Sequence, residues 1–294
     1  MKKEELTNIE SIKEGWSADK KYSAIDEDGS KYLLRIAPKE QAEKKKLEFE
    51  MMQKVSELGI PMCQPIEFGS CEEGAYTLHS WIYGEAAEKV IPSLPNAEQY
   101  QYGLDAGRIL KKIHSIPAPS TVLEWEIYFN QKINRKIKMY SDSPLHYKNG
   151  ECFLTYINGN RSLLKGRPQC FQHGDYHIGN MMVNQENTLV IIDFDRYDFG
   201  DPWEEFNRIV WCAQISPLFA SGMVDGYFEH LIPMEFWKLL ALYIASNTLS
   251  SLPWAIPFGE KEIQTMYQQG EEILAWYDDM KNPIPSWYCQ PKHK

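Results

Sequence analysis

Apolar and polar residues alternate along the first quarter of the chain and then take up helical spacing over most of the rest. Residues 8–36 read as a β-meander. Tyr22-Ser23-Ala24-Ile25 and Lys31-Tyr32-Leu33-Leu34-Arg35-Ile36 flank Asp28-Gly29, a pair that favours a tight hairpin turn. Residues 40–58 carry Leu47, Met51, Met52, Val55 and Leu58 at helical spacing, with Lys44-Lys45-Lys46 on the expected solvated face. Gly59-Ile60-Pro61 stops that helix, because glycine ends it and proline cannot continue it. Pro65–Gly69 and Ala75–Ile82 add two strands and complete an antiparallel sheet. From residue 97 the periodicity predicts helices over 100–114, 125–140, 151–164, 218–230, 234–249 and 261–280. Short apolar runs at Cys170-Phe171, Met181-Met182-Val183 and Leu189-Val190-Ile191-Ile192 interrupt them as strands. The polar Gln185-Glu186-Asn187-Thr188 joins the last two into a hairpin. A sheet followed by helices makes an α+β chain: a sheet and one helix over 1–83, and a larger, mainly helical part over 84–294.

Polar residues of a particular kind bracket that hairpin. His173-Gly174-Asp175-Tyr176-His177-Ile178-Gly179-Asn180 leads into it, and Asp193-Phe194-Asp195 leaves it. Strand ends joined by a turn lie side by side, so Asn180 and Asp193 should converge on one point, with Asp175 on the loop before them. A carboxylate for a hydroxyl, together with a carboxylate and an amide for a hard cation, is what phosphoryl transfer requires. Singly, Asp and Asn in loops cap turns; as an ordered set they point to chemistry. A zinc site built on His173 and His177, four apart, is the rival. Gly174 and Gly179 oppose the helix that would bring both onto one face, and no nearby cysteine or third histidine completes the set.

The passage resembles the aminoglycoside phosphotransferase family, small-molecule kinases on a protein-kinase-like fold. Its catalytic loop reads much like residues 173–180, and its metal strand much like Ile191-Ile192-Asp193-Phe194-Asp195. The resemblance implies a two-lobed fold in which Asp175 orients and deprotonates a hydroxyl, while Asn180 and Asp193 hold Mg²⁺ on the phosphates of ATP or GTP. Arg35 stands where protein kinases carry the lysine that grips the phosphates. Glu48 falls where the family has the acid that steadies that cation. The strand–turn–strand around Gly15–Asp19 would cover the nucleotide and bring Ser17 to it, and the link Ser80–Gly84 would receive the purine near Ser80 and Ile82. Asp195, His177, Asp198 and Glu205 would stand behind, supporting the metal's ligands or reaching the substrate. Only eight residues separate Asp193 from Asp201, too few for the activation loop of a protein kinase, so a small acceptor is expected. The first guess that the resemblance implies is an aminoglycoside or another amino-bearing, cationic compound, and hence antibiotic resistance. Related branches act on choline, methylthioribose or homoserine.

Composition narrows the setting. With 294 residues, 43% apolar and 24% charged, the chain is long enough for a full core. The net charge of −10 lies wholly after residue 174, where 7 basic residues face 17 acidic ones; residues 1–174 hold 24 of each. That balance disfavours nucleic acid and would draw a cation. The basic stretch Lys132, Arg135, Lys136 and Lys138 reads as a solvated helix face, and Asp225, Glu229, Glu271, Glu272, Asp278 and Asp279 as acids that could line a substrate site. The first residues lack the apolar core of a signal peptide, and Phe236–Ile244 is too short to span a bilayer. A soluble, cytoplasmic protein with reduced cysteines is expected. The competing functions are a pseudokinase that binds nucleotide as a scaffold and a metal-dependent hydrolase.

Overall fold

The computed structural model describes residues 5–12 and 19–289, so the expectations for Ser17 and for the turn before Asp19 lie outside the described residues. The elements begin β1 (Thr7–Ile12), β2 (Lys20–Ile25), β3 (Lys31–Pro38), α1 (Ala42–Ser56), β4 (Pro65–Cys71), β5 (Gly74–Ser80), β6 (Gly84–Ala86) and α2 (Ala87–Val90). They continue with α3 (Asn96–Ile113), α4 (Trp125–Asp142), α5 (Gly150–Asn160), β7 (Cys170–Gln172), β8 (Met181–Asn184), β9 (Leu189–Ile191) and β10 (Asp198–Gly200). The chain closes with α6 (Ile209–Ile215), α7 (Pro217–Phe228), α8 (Met234–Ala255) and α9 (Glu260–Trp276). An antiparallel N-terminal sheet and a mostly helical C-terminal part follow, as the pattern predicts.

Two compact units divide the chain: Met1–Val90 with Asn180–Tyr197, and Ile91–Gly179 with Asp198–Lys294. Strand β6 pairs with β8, which ties the hairpin β8–β9 to the first unit. In that unit the five-stranded sheet runs β1-β2-β3-β5-β4. Ala24, Tyr32, Leu34, Tyr76 and Leu78 are buried on one of its faces. Helix α1 packs on β4 and β5 and buries Lys45, Glu48, Phe49, Met52 and Val55. The expected stripe was therefore rotated: Leu47 is exposed, and Lys45 leaves the solvated face.

In the second unit α3 and α7 pack backbone to backbone. A Cβ on Gly103 would lie 2.2 Å from the Phe219 carbonyl, and one on Gly226 2.2 Å from that of Leu104, so only glycine permits the approach. Helix α8 packs against α4, α5 and α9. It runs six residues past the expected end at 249, and Ser250 and Ser251 donate back to the Asn247 carbonyl at 2.9 and 3.0 Å within it. The segment Met234–Phe258 is long and apolar enough to cross a bilayer by length and composition, which corrects the shorter span read from sequence; most of it is buried within the second unit.

Candidate active site

Asn180 and Asp193 belong to the first unit and Asp175 to the second. In the first, β8 and β9 pair in the register Met181↔Ile191, and the Ile192 N–H donates to the Asn180 carbonyl at 3.1 Å. That bond holds Asn180 beside the chain just ahead of Asp193. The turn between the strands closes on Asn184, whose side-chain oxygen accepts the N–H groups of Glu186 and Thr188. Asp193 has φ +67°, a left-handed conformation that a non-glycine residue adopts at a cost and that clusters at functional positions. Its Oδ1 is buried and accepts no hydrogen bond, with Arg35 Nη1 3.8 Å away.

Arg35 is buried on β3 and meets three carboxylates: Asp195 in a short contact, Asp19 at 3.0 Å and Asp193 at 3.8 Å. Glu48 bonds Lys45 at 2.7 Å and reaches Lys44 at 3.4 Å, and Lys45 in turn meets Asp19 at 2.9 Å. The helix cation thus stands between the helix acid and the strand cation, and Lys45 and Asp19 are members that periodicity alone did not mark. Asp195 belongs to this ion cluster, held by Arg35 and by Lys45 at 3.8 Å. Burial pushes its carboxyl up, but Arg35 and Lys45 outweigh burial and hold it below the usual range. In the second unit burial likewise raises Glu204, and Lys132 together with Lys136 outweighs it. Both groups contribute stability that is complete above the ordinary carboxylate pKa of about 4 and is lost as pH falls through their lower folded values. The midpoint of urea unfolding should therefore fall between pH 5 and about pH 3, and a flat midpoint would refute the clusters' contribution.

Ser80 is committed within the first unit. Its N–H donates to the Gln64 carbonyl at 2.9 Å, and its hydroxyl accepts the Gln64 N–H at 2.8 Å. The expectation that Ser80 serves a nucleotide is narrowed accordingly. Ile82 is half-buried in the connection that follows.

In the second unit, β7 pairs with β10 and feeds the catalytic-type loop. Gly174 turns it with φ +84° and donates its N–H to Glu205 at 3.0 Å. Glu205 is buried, 3.8 Å from His114 Nε2, so it anchors the loop rather than reaching a substrate. Asp175 Oδ1 lies 3.2 Å from Arg208 Nε and 3.7 Å from His177 Nε2. Nothing in the sequence pattern singled out Arg208. His177 Nδ1 accepts the Gly179 N–H at 3.1 Å, and buried His173 Nδ1 accepts the Asp175 N–H at 3.3 Å. Both rings therefore carry their protons on Nε2 and serve the loop. Among the described residues no three His, Cys, Asp or Glu gather to hold a metal. A carboxylate with an orphaned oxygen beside an amide-bearing residue suits magnesium, which takes one or two carboxylates and completes its shell with phosphate and water. Asp198 is exposed, and its carboxylate accepts the N–H of Phe199 at 2.8 Å.

The sequence model of a phosphotransferase enzyme family matches residues 8–238. The wild-type aminoglycoside 2′-phosphotransferase-IIIa in its GDP complex superposes with a TM-score of 0.67 at 17% identity, over 92% of this chain and 93% of that one. A thermostable mutant of aminoglycoside phosphotransferase APH(4)-Ia, with ADP and hygromycin B, gives 0.65 at 15% identity, over 92% and 94%. A choline/ethanolamine kinase family protein from Mesorhizobium loti gives 0.66 at 15%, over 94% and 91%. No curated protein sequence matches. At these identities the superpositions speak for the fold, while the sequence match spans most of the chain: the protein belongs to the phosphotransferase enzyme family.

Proposed function

We propose that the protein moves the γ-phosphate of ATP or GTP to a hydroxyl of a small molecule. The acceptor's proton passes to Asp175 as its oxygen bonds to phosphorus; the bond from phosphorus to the β–γ bridging oxygen breaks, and the nucleoside diphosphate leaves. Asn180 and Asp193 would hold Mg²⁺, which supplies charge to the phosphates when bound. Arg35 would turn from its carboxylates to those phosphates, with Lys45, held by Glu48, answering Asp19 and Asp195. The observation that carries this reading is the bond from the Ile192 N–H to the Asn180 carbonyl, which sets Asn180 beside the strand end leading into Asp193, where Asp193 keeps a buried, unbonded oxygen.

The neighbours' complexes with GDP, and with ADP and hygromycin B, favour a nucleotide donor and an aminoglycoside-like acceptor. Radiolabelled ATP and GTP, offered with a broad panel of hydroxyl compounds, test the reaction. Label should appear in a small product, and chelation of Mg²⁺ should abolish it. A pseudokinase would bind nucleotide and transfer nothing, whereas a hydrolase would act without nucleotide.

A further inference from the structure

Asp175 has a cation at its side that the deprotonation of a hydroxyl does not itself require. Arg208 ends the short helical turn Glu204–Arg208, just ahead of α6. Residues three apart on so tight a turn share a side. Glu205 there holds the Gly174 N–H at 3.0 Å, and Arg208 Nε lies 3.2 Å from Asp175 Oδ1. One turn thus anchors the loop and presents a guanidinium to its carboxylate. The side chains of Arg208 and Asp175 stay partly open, 27% and 16% exposed, against 1% for Glu205. Glu204, the other acid of the turn, is answered by Lys132 at 3.1 Å. Among the described residues Asp175 is the one acid within ion-pair reach of Arg208, and it is met through Nε. A guanidinium is a planar fork, so a carboxylate on its Nε edge leaves the Nη end for a second, oxygen-rich anion.

We propose that Arg208 is a catalytic residue of the transfer, whose Nη end binds oxygens of the phosphoryl group as that group moves to the acceptor. This rests on reading Asp175 as the residue that takes the hydroxyl's proton. The acceptor oxygen then lies about 2.6–3.2 Å from the carboxylate. Phosphorus stands about 3–3.5 Å beyond that oxygen before reaction. Its own oxygens come within reach of a guanidinium seated on the same carboxylate. When Asp175 takes the proton, its charge is cancelled and no longer balances Arg208. The positive charge so released faces the oxygens over which the charge of the transferring group is spread. Arg208 gives up no proton: the hydroxyl's proton stays on Asp175, and the bonds made and broken are those at phosphorus.

Fluoroaluminate, added with Mg²⁺ and fluorescent ADP or GDP, imitates a phosphoryl group in transfer and tests the assignment without turnover or an identified acceptor. On the wild-type chain it should tighten diphosphate binding about 10²-fold, the low end for a transition-state mimic. Arg208→Ala should lose that tightening and bind the diphosphate alone as before. In transfer of labelled γ-phosphate, to an acceptor or to water, Arg208→Ala should lower kcat about 10³-fold and leave KM for the nucleotide little moved. Guanidinium chloride, well below denaturing concentrations, should restore part of that rate; sodium chloride at equal ionic strength should not. Arg208→Gln carries the same tests if Arg208→Ala fails to fold. A variant that keeps the fluoroaluminate tightening overturns the proposal, and a loss of rate beside it makes Arg208 a positioning residue acting through Asp175. A rate within tenfold of wild type also overturns it, and decides alone on a wild type that transfers label but ignores fluoroaluminate. The phosphotransferase reading survives all of these. A wild-type chain that binds the diphosphate, ignores fluoroaluminate and transfers label to nothing removes the reaction, and the part of Arg208 with it.

Discussion

Asp175→Asn should lower phosphoryl transfer by about 10²–10⁴-fold, the range over which a positioned general base contributes. The substitution conserves shape. Arg208 Nε, 3.2 Å from Oδ1, can still donate to an amide oxygen, and the Gly174–Glu205 anchor of the loop is untouched. What is lost is the negative charge and the capacity to take a proton. Nucleotide affinity should change little, because Arg35, Asn180 and Asp193 all lie in the other unit. Asp193→Asn is the contrast: it weakens the metal's carboxylate ligand, so nucleotide binding in Mg²⁺ should suffer along with turnover. Steady-state transfer and a fluorescence titration with nucleotide, run on both variants, separate the two roles. An Asp175→Asn enzyme that keeps more than a tenth of its turnover would rule out proton transfer to this carboxylate.

Most of what places these groups was legible because it is local. A strand, a polar turn and a second strand fix Asn180 against Asp193 wherever the hairpin packs, and Gly174 is needed at a left-handed turn in any setting. The partners of the charged residues were not legible. Lys45 sits in a run of three lysines that reads as solvated, and only the packing of α1 on the sheet turns it inward to Asp19 and Glu48. Leu47 fits a helical stripe as well as Phe49 does; the sheet selects Phe49, which contacts Phe68 and His79 on β4 and β5. On α4, Lys132 and Lys136 leave the solvated face because Glu204 and Asn247, 72 and 111 residues away, meet them there. A surplus of acidic residues likewise says nothing about which of them are buried.

Asp201→Ala should be the most destabilising of these substitutions, costing about 3–5 kcal/mol, the cost of leaving one partner of a buried ion pair uncompensated. Read from sequence, Asp201-Pro202 is a helix start, and Asp201 does accept the Trp203 N–H at 3.0 Å. It also does much more. Its carboxylate is fully buried, takes both Nε and Nη2 of Arg167 at 2.7 and 3.0 Å, and accepts the Tyr243 hydroxyl at 2.6 Å. Tyr243 accepts in turn from Trp125 Nε1 at 3.0 Å, so one carboxylate joins α4, α8 and the segment ahead of β7. Removing it strands the Arg167 guanidinium, which keeps the face of Trp203 at 3.7 Å. For a unit of this size the melting temperature should fall by roughly 10 °C. Arg167→Met combined with Asp201→Leu removes both charges and should recover part of that loss, since an apolar pair of similar volume often matches a buried ion pair. A double variant no more stable than Asp201→Ala would mean that the carboxylate acts through Tyr243 and Trp203 rather than through Arg167. The backbone supplies the link to catalysis. Gln172 Nε2 donates to the Asp201 carbonyl at 2.9 Å, one residue before the loop that carries Asp175. A loop loosened there should lose turnover at temperatures well below melting, and the apolar double variant should regain stability before it regains rate.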